Sequence, residues 1–292
     1  MKVKFWGVRG SIATPGKETA LYGGNTSCIQ VLGGEDYVIM DAGTGIRRLG
    51  EQIVAAKKPA RVHLLLTHTH WDHIQGFPFF TPIYVPGNEI FIYGPRALEK
   101  SLEEALMFQM QYSYFPVRGV ELAAKMKFTE LGEETIQVGD LEVSTKSMNH
   151  PIRVLAFKVT QKDKSVIYTG DNEPYYDVQA DKQGDTGRRR RLEFIRECNQ
   201  GVVDFCRKTD VLIADAQYTD EQYVSKRGWG HSSISHVLEL GREAEVGTLV
   251  LFHHEPTHDD PTLSAIEKAA KARGKKDNLK VVSAREGMTL DI

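Results

Sequence analysis

Three histidines and one aspartate lie within six residues of this chain, between positions 68 and 73. The segment reads Thr67-His68-Thr69-His70-Trp71-Asp72-His73 and directly follows the apolar run Leu64-Leu65-Leu66. A loop at a strand end lets side chains two positions apart converge, and imidazole and carboxylate groups are the ligands that zinc and similar divalent metals prefer. The chain has only 10 histidines in all, so a polar loop whose histidines merely hydrogen-bond to their neighbours explains this density poorly. The segment therefore predicts a metal site.

The pattern His68-x-His70-x-Asp72-His73 resembles the signature of the metallo-β-lactamase superfamily. The resemblance implies an α/β fold, a four-layer αββα sandwich with a two-metal site between its sheets. Further positions match the superfamily in the same order along the chain: Asp41 in Met40-Asp41-Ala42-Gly43, His150 in Asn149-His150-Pro151, Asp171 in Thr169-Gly170-Asp171, and His253 in Phe252-His253-His254.

This resemblance implies two divalent metal ions with separate ligands and one shared carboxylate. The expected ligands are His68, His70 and His150 for one ion, Asp72, His73 and His253 for the other, and Asp171 as the bridge. Two such cations, about 3.5–4 Å apart, can generate a hydroxide at neutral pH and stabilise an oxyanion from both sides. Zinc suits a histidine-rich site, while manganese and iron stay open because geometry and supply decide which metal binds.

The last ligand is ambiguous because His253 and His254 are adjacent. Neighbouring residues of a strand face opposite sides, so only one of the two can point into the site. The resemblance also implies a fixed offset between a GHS motif, here Gly230-His231-Ser232, and the last histidine ligand, and this offset favours His253.

Two motifs resemble the branch that contains RNase Z and the cyclic phosphodiesterases. The stretch Phe5-Trp6-Gly7-Val8-Arg9-Gly10-Ser11, followed by Gly24-Asn25-Thr26-Ser27, is similar to the glycine-rich opening of that branch. Gly230-His231-Ser232-Ser233 resembles its GHS motif, which precedes a helix, a strand and the last histidine ligand. The resemblance implies that His231 contacts the scissile phosphate or protonates the leaving oxygen, so His231 and Asp72 are the expected catalytic residues. The alternative for His231 is a neighbour of a helix cap without chemistry.

One departure from RNase Z concerns substrate size. Bacterial RNase Z enzymes carry a long tRNA-gripping arm between the positions matched by His150 and Asp171, and here only the 20 residues 151–170 separate them. We therefore expect a phosphodiesterase for small or cyclic phosphodiesters, with cyclic nucleotides first. The alternatives are RNase Z-like RNA cleavage with Arg188–Arg191 as the grip, a lactone or thioester hydrolase, and a metal-binding regulator without turnover.

Apolar periodicity predicts the elements that must position these residues, as strands alternating with helices and hence as sheet layers covered by helices. The predicted strands are Val3–Val8, Ser27–Leu32, Tyr37–Met40, Val62–Thr67, Ile90–Tyr93, the strands within Glu130–Thr145, Val154–Thr160, Val166–Thr169, Val211–Ala214, Thr248–Phe252 and Lys280–Ser283. The predicted helices are Thr44–Lys57, Arg96–Gln111, Ser232–Glu245 with Ser232 as N-cap, and Pro261–Arg273 with proline at its first position. The polar segment Asp181–Arg191 is expected to be a surface loop leading into a helix.

Composition limits the class of protein. With 292 residues, 41% hydrophobic and 26% charged, extensive disorder and collagen-like repeats are excluded, and we expect one domain over residues 1–292. A net charge of -2 argues against a protein that coats nucleic acid. Three cysteines are too few for a disulfide framework, no signal peptide pattern is present, and no apolar run approaches the roughly 18 residues of a membrane span. We expect a soluble cytoplasmic protein without a membrane partner, and the resemblance implies a homodimer.

Other charged or histidine residues receive structural explanations. His63 lies within a strand pattern, His236 is expected to face solvent, and Arg9 is expected in a surface salt bridge. His258 has two open interpretations, a substrate contact or a pairing with Asp259.

Overall fold

Two mixed β-sheets form the centre of the molecule. The computed structural model describes residues 1–96, 100–179 and 187–292, and in these ranges each sheet has seven strands. The first sheet contains β1 (Lys2–Gly7), β2 (Cys28–Leu32), β3 (Tyr37–Met40), β4 (Arg61–Leu65), β5 (Glu89–Pro95), β6 (Lys125–Leu131) and β14 (Thr289–Asp291). The second contains β7 (Thr135–Val138), β8 (Leu141–Met148), β9 (Val154–Gln161), β10 (Lys164–Tyr168), β11 (Val211–Asp215), β12 (Thr248–Phe252) and β13 (Lys280–Ser283).

Strand order gives the two sheets the same plan. The first runs β14-β1-β2-β3-β4-β5-β6 and the second β13-β12-β11-β10-β9-β8-β7. Within each sheet, four neighbouring strands are parallel, β3 to β6 and β10 to β13, and the others pair antiparallel. The strands predicted at Val154–Thr160 and Val166–Thr169, between His150 and Asp171, correspond to β9 and β10, which form a hairpin in which Gln161 pairs with Lys164.

The layers follow from where the apolar side chains lie. Phe5 and Leu65 of the first sheet share one buried cluster with Phe157 and Phe252 of the second, so the two sheets face each other across this core. The helices of the described residues are α1 (Ile46–Ala55), α2 (Trp71–Ile74), α3 (Leu102–Phe108), α4 (Arg188–Cys206), α5 (Asp220–Lys226), α6 (Ile234–Glu243) and α7 (Asp260–Lys276). Side chains of α1 and α3 pack on the outer face of the first sheet, and those of α4, α6 and α7 pack on the outer face of the second. The predicted αββα sandwich is confirmed; its organisation as one domain over residues 1–292 stays a prediction.

Hydrogen bonds join the sheets at the edge where the predicted ligands lie. The Leu155 amide donates to the Thr67 carbonyl at 3.0 Å, and the His254 amide donates to the Val8 carbonyl at 2.9 Å. Residues that follow strands of different sheets are therefore held close together.

Several helix ends differ from the predictions because side chains cap earlier or later than expected. Helix α1 begins at Ile46 and not at Thr44, since the Thr44 amide and hydroxyl exchange hydrogen bonds with Thr26. Helix α3 begins at Leu102 because Ser101 and Glu104 form a capping box, and part of the predicted helix, residues 97–99, lies outside the described residues.

The two later helices also begin at positions other than those predicted. Ser233, and not Ser232, caps α6. Helix α7 starts at Asp260 with Asp259 as its cap, which places Pro261 second. The cap of α6 therefore lies one residue later than predicted, and the cap of α7 lies one residue earlier than a proline at the first helical position would require.

The end of the predicted loop at Asp181–Arg191 is helical. Residues 188–191 form the first turn of α4, where Arg189 pairs with Glu193 at 3.0 Å and Arg191 pairs with Asp177 at 3.1 Å. Residues 181–186 lie outside the described part of the chain.

The surface positions predicted for Arg9 and His236 are wrong. Arg9 is fully buried, and its guanidinium donates to the carbonyl oxygens of Gly23 at 2.8 Å and His258 at 2.6 Å. His236 is half-buried with its ring 4.7 Å from that of Tyr223. Backbone carbonyls accept from Nε and Nη1 of Arg9, while Nη2 is buried without a hydrogen-bond partner. A search for carboxylates near Arg9 in the sequence cannot reveal these carbonyl partners.

His63 is buried in β4, as expected of a structural residue. Its ring nitrogens lie 3.1 Å from Asp36 Oδ2 and 3.2 Å from the Tyr93 hydroxyl. No helix in the described ranges is both long and apolar enough to cross a membrane.

Glu267 anchors α7 to the sheet edge through a buried carboxylate. It accepts hydrogen bonds from the Tyr22 hydroxyl at 2.8 Å and Arg285 Nη2 at 2.7 Å, and Lys271 Nζ lies 2.7 Å away. Burial alone would raise the pKa of Glu267, but the hydrogen bonds from Lys271, Tyr22 and Arg285 lower it to about 2.

Glu267→Gln should lower the free energy of unfolding by about 1–3 kcal/mol at pH 7, because the buried partners lose their anion. A carboxyl group with a depressed pKa stabilises the fold above its unfolded pKa of about 4.3, and this stabilisation disappears as the pH falls toward 2. Urea unfolding at pH 7 and pH 3 should therefore show a smaller difference from the wild type at pH 3. Glu193→Gln, which removes the carboxylate of an exposed ion pair, is the control and should change the free energy of unfolding little. An equal loss of stability of Glu267→Gln at both pH values would contradict the depressed pKa of Glu267.

Candidate metal centre

The predicted site residues lie at the carboxyl ends of strands from both sheets. Strands β3 and β4 are parallel, as are β10, β11 and β12, and β8 runs in the direction of β10 because both pair antiparallel with β9. The residues that end or follow these strands are Asp41, His68, His70, Asp72, His73, His150, Asp171, Asp215 and His253. Loops at this shared edge are free of sheet pairing, which is why their side chains can converge.

A first cluster contains His68, His70, His150 and Asp171, whose ligand atoms all lie within 4.8 Å of one another. His150 Nε2 is 3.1 Å from His70 Nδ1. The Asp171 Oδ2 atom is 3.4 Å from His68 Nε2 and 3.8 Å from His150 Nε2. The structure thus brings together the residues predicted to hold one ion.

A second cluster contains Asp72, His73, His253 and again Asp171. His253 Nε2 is 3.1 Å from Asp72 Oδ2, and the Asp171 Oδ1 atom is 3.2 Å from His73 Nε2 and 3.3 Å from His253 Nε2. His254 turns away, with its Nε2 atom 2.9 Å from the Ala284 carbonyl. Of the two adjacent histidines, His253 is the one that reaches the cluster.

The donor set fits divalent cations. His68 Nε2 and Asp171 Oδ1 are buried and form no well-aligned hydrogen bond, although Asp171 Oδ2 lies 3.4 Å from the first atom and His73 Nε2 lies 3.2 Å from the second. Unpartnered buried polar atoms are costly, and a cation within each cluster would satisfy them. Imidazole and carboxylate donors suit zinc, manganese and iron alike, so this test identifies metals as a class and not one element.

Protonation states differ between the clusters in the metal-free protein. Burial lowers the pKa of His70 to about 4 and that of His150 to about 3, so both are neutral at pH 7, as metal ligands must be. Burial also lowers the pKa of His73, but the carboxylates of Asp171, Asp72 and Asp41 outweigh it and raise that pKa well above its usual value.

Asp41 orients His73. The Asp41 Oδ2 atom lies 2.6 Å from His73 Nδ1 and accepts a hydrogen bond from the Tyr168 hydroxyl at 2.8 Å, while Oδ1 accepts one from the Thr67 amide at 2.8 Å. This contact leaves His73 Nε2 facing Asp72 and His253. An anion behind a ligating imidazole fixes the ring and its tautomer.

The backbone is strained at three positions around the clusters. Asp41, His253 and Ser11 have φ values of 62°, 59° and 61°, which non-glycine residues rarely adopt. The turn at Ser11 directs its amide to Asp72 Oδ2 at 2.7 Å. A Cβ atom on the preceding Gly10 would lie 2.4 Å from the His253 ring, so this loop can approach the ring only through glycine.

His231 precedes α6 and lies beside both clusters. Its Nδ1 atom is 2.9 Å from Asp215 Oδ2 and 3.9 Å from Asp171 Oδ2, and its ring stacks on that of His253 with centres 5.0 Å apart. Burial alone would lower the pKa of His231, but the Asp215 and Asp171 carboxylates raise it to about 9. The Asp215 carboxylate against Nδ1 thus favours the protonated imidazole.

Asp215 was missed by the sequence analysis. It ends β11, which lies between β10 and β12, the strands that precede Asp171 and His253. The signal was its position directly after the apolar run Val211–Ala214, at the same sheet edge as the two ligands.

Glu173 was also missed, and no sequence pattern marks it. The buried carboxylate accepts hydrogen bonds from the Gly228 and Gly230 amides, both at 2.9 Å, and from the Tyr223 hydroxyl at 2.7 Å. Gly230, with φ of 86°, lies so close to His150 that a Cβ would be 2.3 Å from the ring. Glu173 therefore holds the backbone that carries His231.

A cavity of about 470 Å³ opens onto the clusters and is lined by His70, Asp72, Asp171 and His231, together with Ser11, Thr69 and the exposed Trp71. His258 is not among its lining residues. The His258 Nε2 atom lies 3.0 Å from Gln222 Oε1, and Asp259 caps α7.

Comparisons with known proteins agree on the family. The model of the "Beta-lactamase superfamily domain" matches residues 36–254. Ribonuclease Z of Thermoplasma acidophilum is 24% identical over 303 residues, which cover 93% of this chain and 91% of that protein.

Two solved structures share the fold. The metallo-beta-lactamase fold protein YhfI from Bacillus subtilis has a TM-score of 0.69 at 20% identity, covering 99% of this chain and 98% of its own. The short form of human tRNase Z has a TM-score of 0.65 at 20% identity, and the match covers 100% of this chain and 99% of that chain. The family match extends over most of the chain, and this protein therefore belongs to the β-lactamase superfamily, as a metal-dependent hydrolase of the metallo-β-lactamase fold.

Proposed function

We propose that the protein is a dinuclear metal-dependent phosphodiesterase that hydrolyses small or cyclic phosphodiesters, with cyclic nucleotides as the first substrates to test. The observation that carries this proposal is the His231–Asp215 pair beside the shared Asp171. An alkoxide leaving phosphorus needs a proton, and a protonated imidazole held at the site can supply it. A lactone or thioester hydrolase could use the same metals without such a histidine.

The proposed ligands are His68, His70 and His150 for one cation, Asp72, His73 and His253 for the second, and Asp171 between them. Two divalent cations, zinc or alternatively manganese or iron, would supply a nucleophile from water at neutral pH and neutralise charge that develops on phosphate oxygens. The two oxygens of Asp171 face different clusters, so its negative charge would offset part of the repulsion between two cations held there. The Asp41 carboxylate at His73 Nδ1 holds the His73 ring so that its Nε2 atom faces the second cluster.

His231 has a separate role, which is to hold and deliver a proton. Asp215 accepts a hydrogen bond from Nδ1 at 2.9 Å, so Nε2 is the atom that can donate to the leaving oxygen. Glu173 fixes the loop before His231 and so limits where that atom lies.

The short connection between His150 and Asp171 supports a small substrate. The β9–β10 hairpin accounts for Val154–Gln161 and Lys164–Tyr168 of that interval, which leaves little chain for a tRNA-gripping arm. RNA cleavage remains the second candidate because the relative from T. acidophilum is a ribonuclease Z. Its suggested grip at Arg188–Arg191 is weakened by the ion pairs of Arg189 with Glu193 and Arg191 with Asp177. A homodimer and a cytoplasmic location stay predictions.

Metal content tests the ligand assignment. Purified protein should hold close to two transition-metal ions, and His68→Ala, Asp171→Ala or His253→Ala should lose much of this metal and all activity. His254→Ala is the matched control, since it removes a neighbouring buried histidine outside the clusters and should keep the metal. Elemental analysis of the folded variants measures the ratio of metal to protein. Metal loss in His254→Ala but not in His253→Ala would show that His254, and not His253, is the last ligand.

A turnover screen tests the substrate class. The protein loaded with Zn²⁺ or Mn²⁺ should hydrolyse 2′,3′- or 3′,5′-cyclic nucleotides and bis-p-nitrophenyl phosphate far better than it trims pre-tRNA or opens lactones. Site-specific 3′ trimming of pre-tRNA without cyclic nucleotide turnover would instead establish the second candidate.

The leaving group tests His231. His231→Ala should keep its metals and lose cyclic nucleotide turnover by about 10²–10⁴-fold, the usual contribution of a positioned acid. It should lose much less on bis-p-nitrophenyl phosphate, because p-nitrophenolate departs without a proton. The half-buried His236 is the control, and His236→Ala should affect both substrates little. Equal, small losses of His231→Ala on both substrates would remove His231 from the mechanism.

A further inference from the structure

A second cavity, of about 310 Å³, shares the His150 wall with the metal clusters. Its outer walls include Tyr175, Tyr176 and Val178, and the backbone of Gly228 and Gly230 forms another side. This volume is at the lower end of the range for small-molecule sites. The metal-dependent reaction proposed above uses none of the outer residues.

Cations and aromatic rings pair beside this cavity. The guanidinium carbon of Arg227 lies 4.0 Å from the centre of the Tyr176 ring, and Lys226 Nζ lies 3.8 Å from that of Trp229. Arg227 is exposed and forms no salt bridge with the residues that the structure describes, so its donors are available. Aromatic faces and arginine planes are the groups on which nucleobases stack.

The walls are fixed before any ligand binds. Asn199 of α4 accepts from the Tyr175 amide at 2.9 Å and donates to the Tyr175 carbonyl at 3.0 Å. Asp177 lies two residues after Tyr175, and its Oδ1 atom is 3.1 Å from Nε of Arg191 in α4. This ion pair holds the same wall segment against α4. A preformed cavity binds with a smaller loss of conformational entropy.

His150 belongs both to the first cluster and to the wall of this cavity. His150 has one ring nitrogen in the first cluster, 3.8 Å from Asp171, and the other 2.8 Å from the Gly230 carbonyl at the cavity wall. The cavity is therefore adjacent to the first cluster, as a site for a base next to a site for its phosphate must be.

We propose that this cavity, the base cavity, binds the nucleobase of a nucleotide whose phosphate lies at the metal clusters, with the base stacked against Tyr176, the lining residue whose ring Arg227 contacts. The phosphate end of this inference rests on the proposed phosphodiesterase function. Tyr176 and Arg227 would then set the preference for nucleotides over other phosphodiesters.

Binding to the metal-loaded protein tests the base cavity without turnover. Calorimetry should give a dissociation constant for adenosine 5′-monophosphate at least about tenfold lower than for ribose 5-phosphate, the size expected from stacking one base. Tyr176→Leu should remove most of this difference and leave ribose 5-phosphate binding unchanged. Arg227→Met changes an exposed side chain and should also weaken nucleotide binding. Tyr112→Leu is the matched control, because Tyr112 carries Arg118 over its ring at 4.9 Å but does not line the cavity.

Kinetics separates the base cavity from the proposed reaction. Thymidine 5′-(p-nitrophenyl phosphate) and methyl p-nitrophenyl phosphate have the same leaving group, so Tyr176→Leu should raise KM for the first alone. Equal binding of the two ligands, absence of binding, or an unchanged nucleotide affinity in Tyr176→Leu would overturn the base cavity. Turnover of the methyl ester in that case would leave the phosphodiesterase proposal intact. Base-dependent binding without turnover of any phosphodiester would support the cavity and contradict the proposed reaction.

Discussion

One carboxylate, that of Asp171, lies within 3.9 Å of nitrogen atoms from five histidines: His68, His73, His150, His231 and His253. It is almost fully buried, where an unneutralised charge is costly. The surroundings must therefore provide positive charge, from cations or from protonated imidazoles. The proposed ligand set and the proton on His231 both satisfy this one requirement.

The fold satisfies this need for positive charge around Asp171 by bringing loops from both sheets to one edge. Asp41 and His253 each follow directly after a strand and each have a left-handed backbone, so the chain turns sharply where the sheet ends. Such strain costs of order 1–3 kcal/mol per residue. It persists because the strands before it are locked in a core that contains Met40 and Phe252.

The residues of the two clusters could be recognised in the sequence because most of them occur in one short, dense segment or directly after an apolar run. The sequence did not reveal Asp215 or Glu173, whose roles depend on partners that only the folded chain brings near. The prediction for Arg9 was wrong for a related reason, since its partners are backbone carbonyls at Gly23 and His258 and carbonyls carry no sequence signal. Helix ends shifted by a few residues because the capping hydrogen bonds compete locally.

The distribution of the ligands along the chain has a consequence for synthesis. The second cluster takes Asp72 and His73 from early in the sequence and His253 from late in it, and the Ser11 amide that contacts Asp72 belongs to a loop tied by Arg9 to His258. A nascent chain can complete the first sheet's central strands on the ribosome, but it cannot assemble this cluster until β12 and the following loop have emerged. A polypeptide interrupted before that point therefore lacks His253 and with it part of the second cluster.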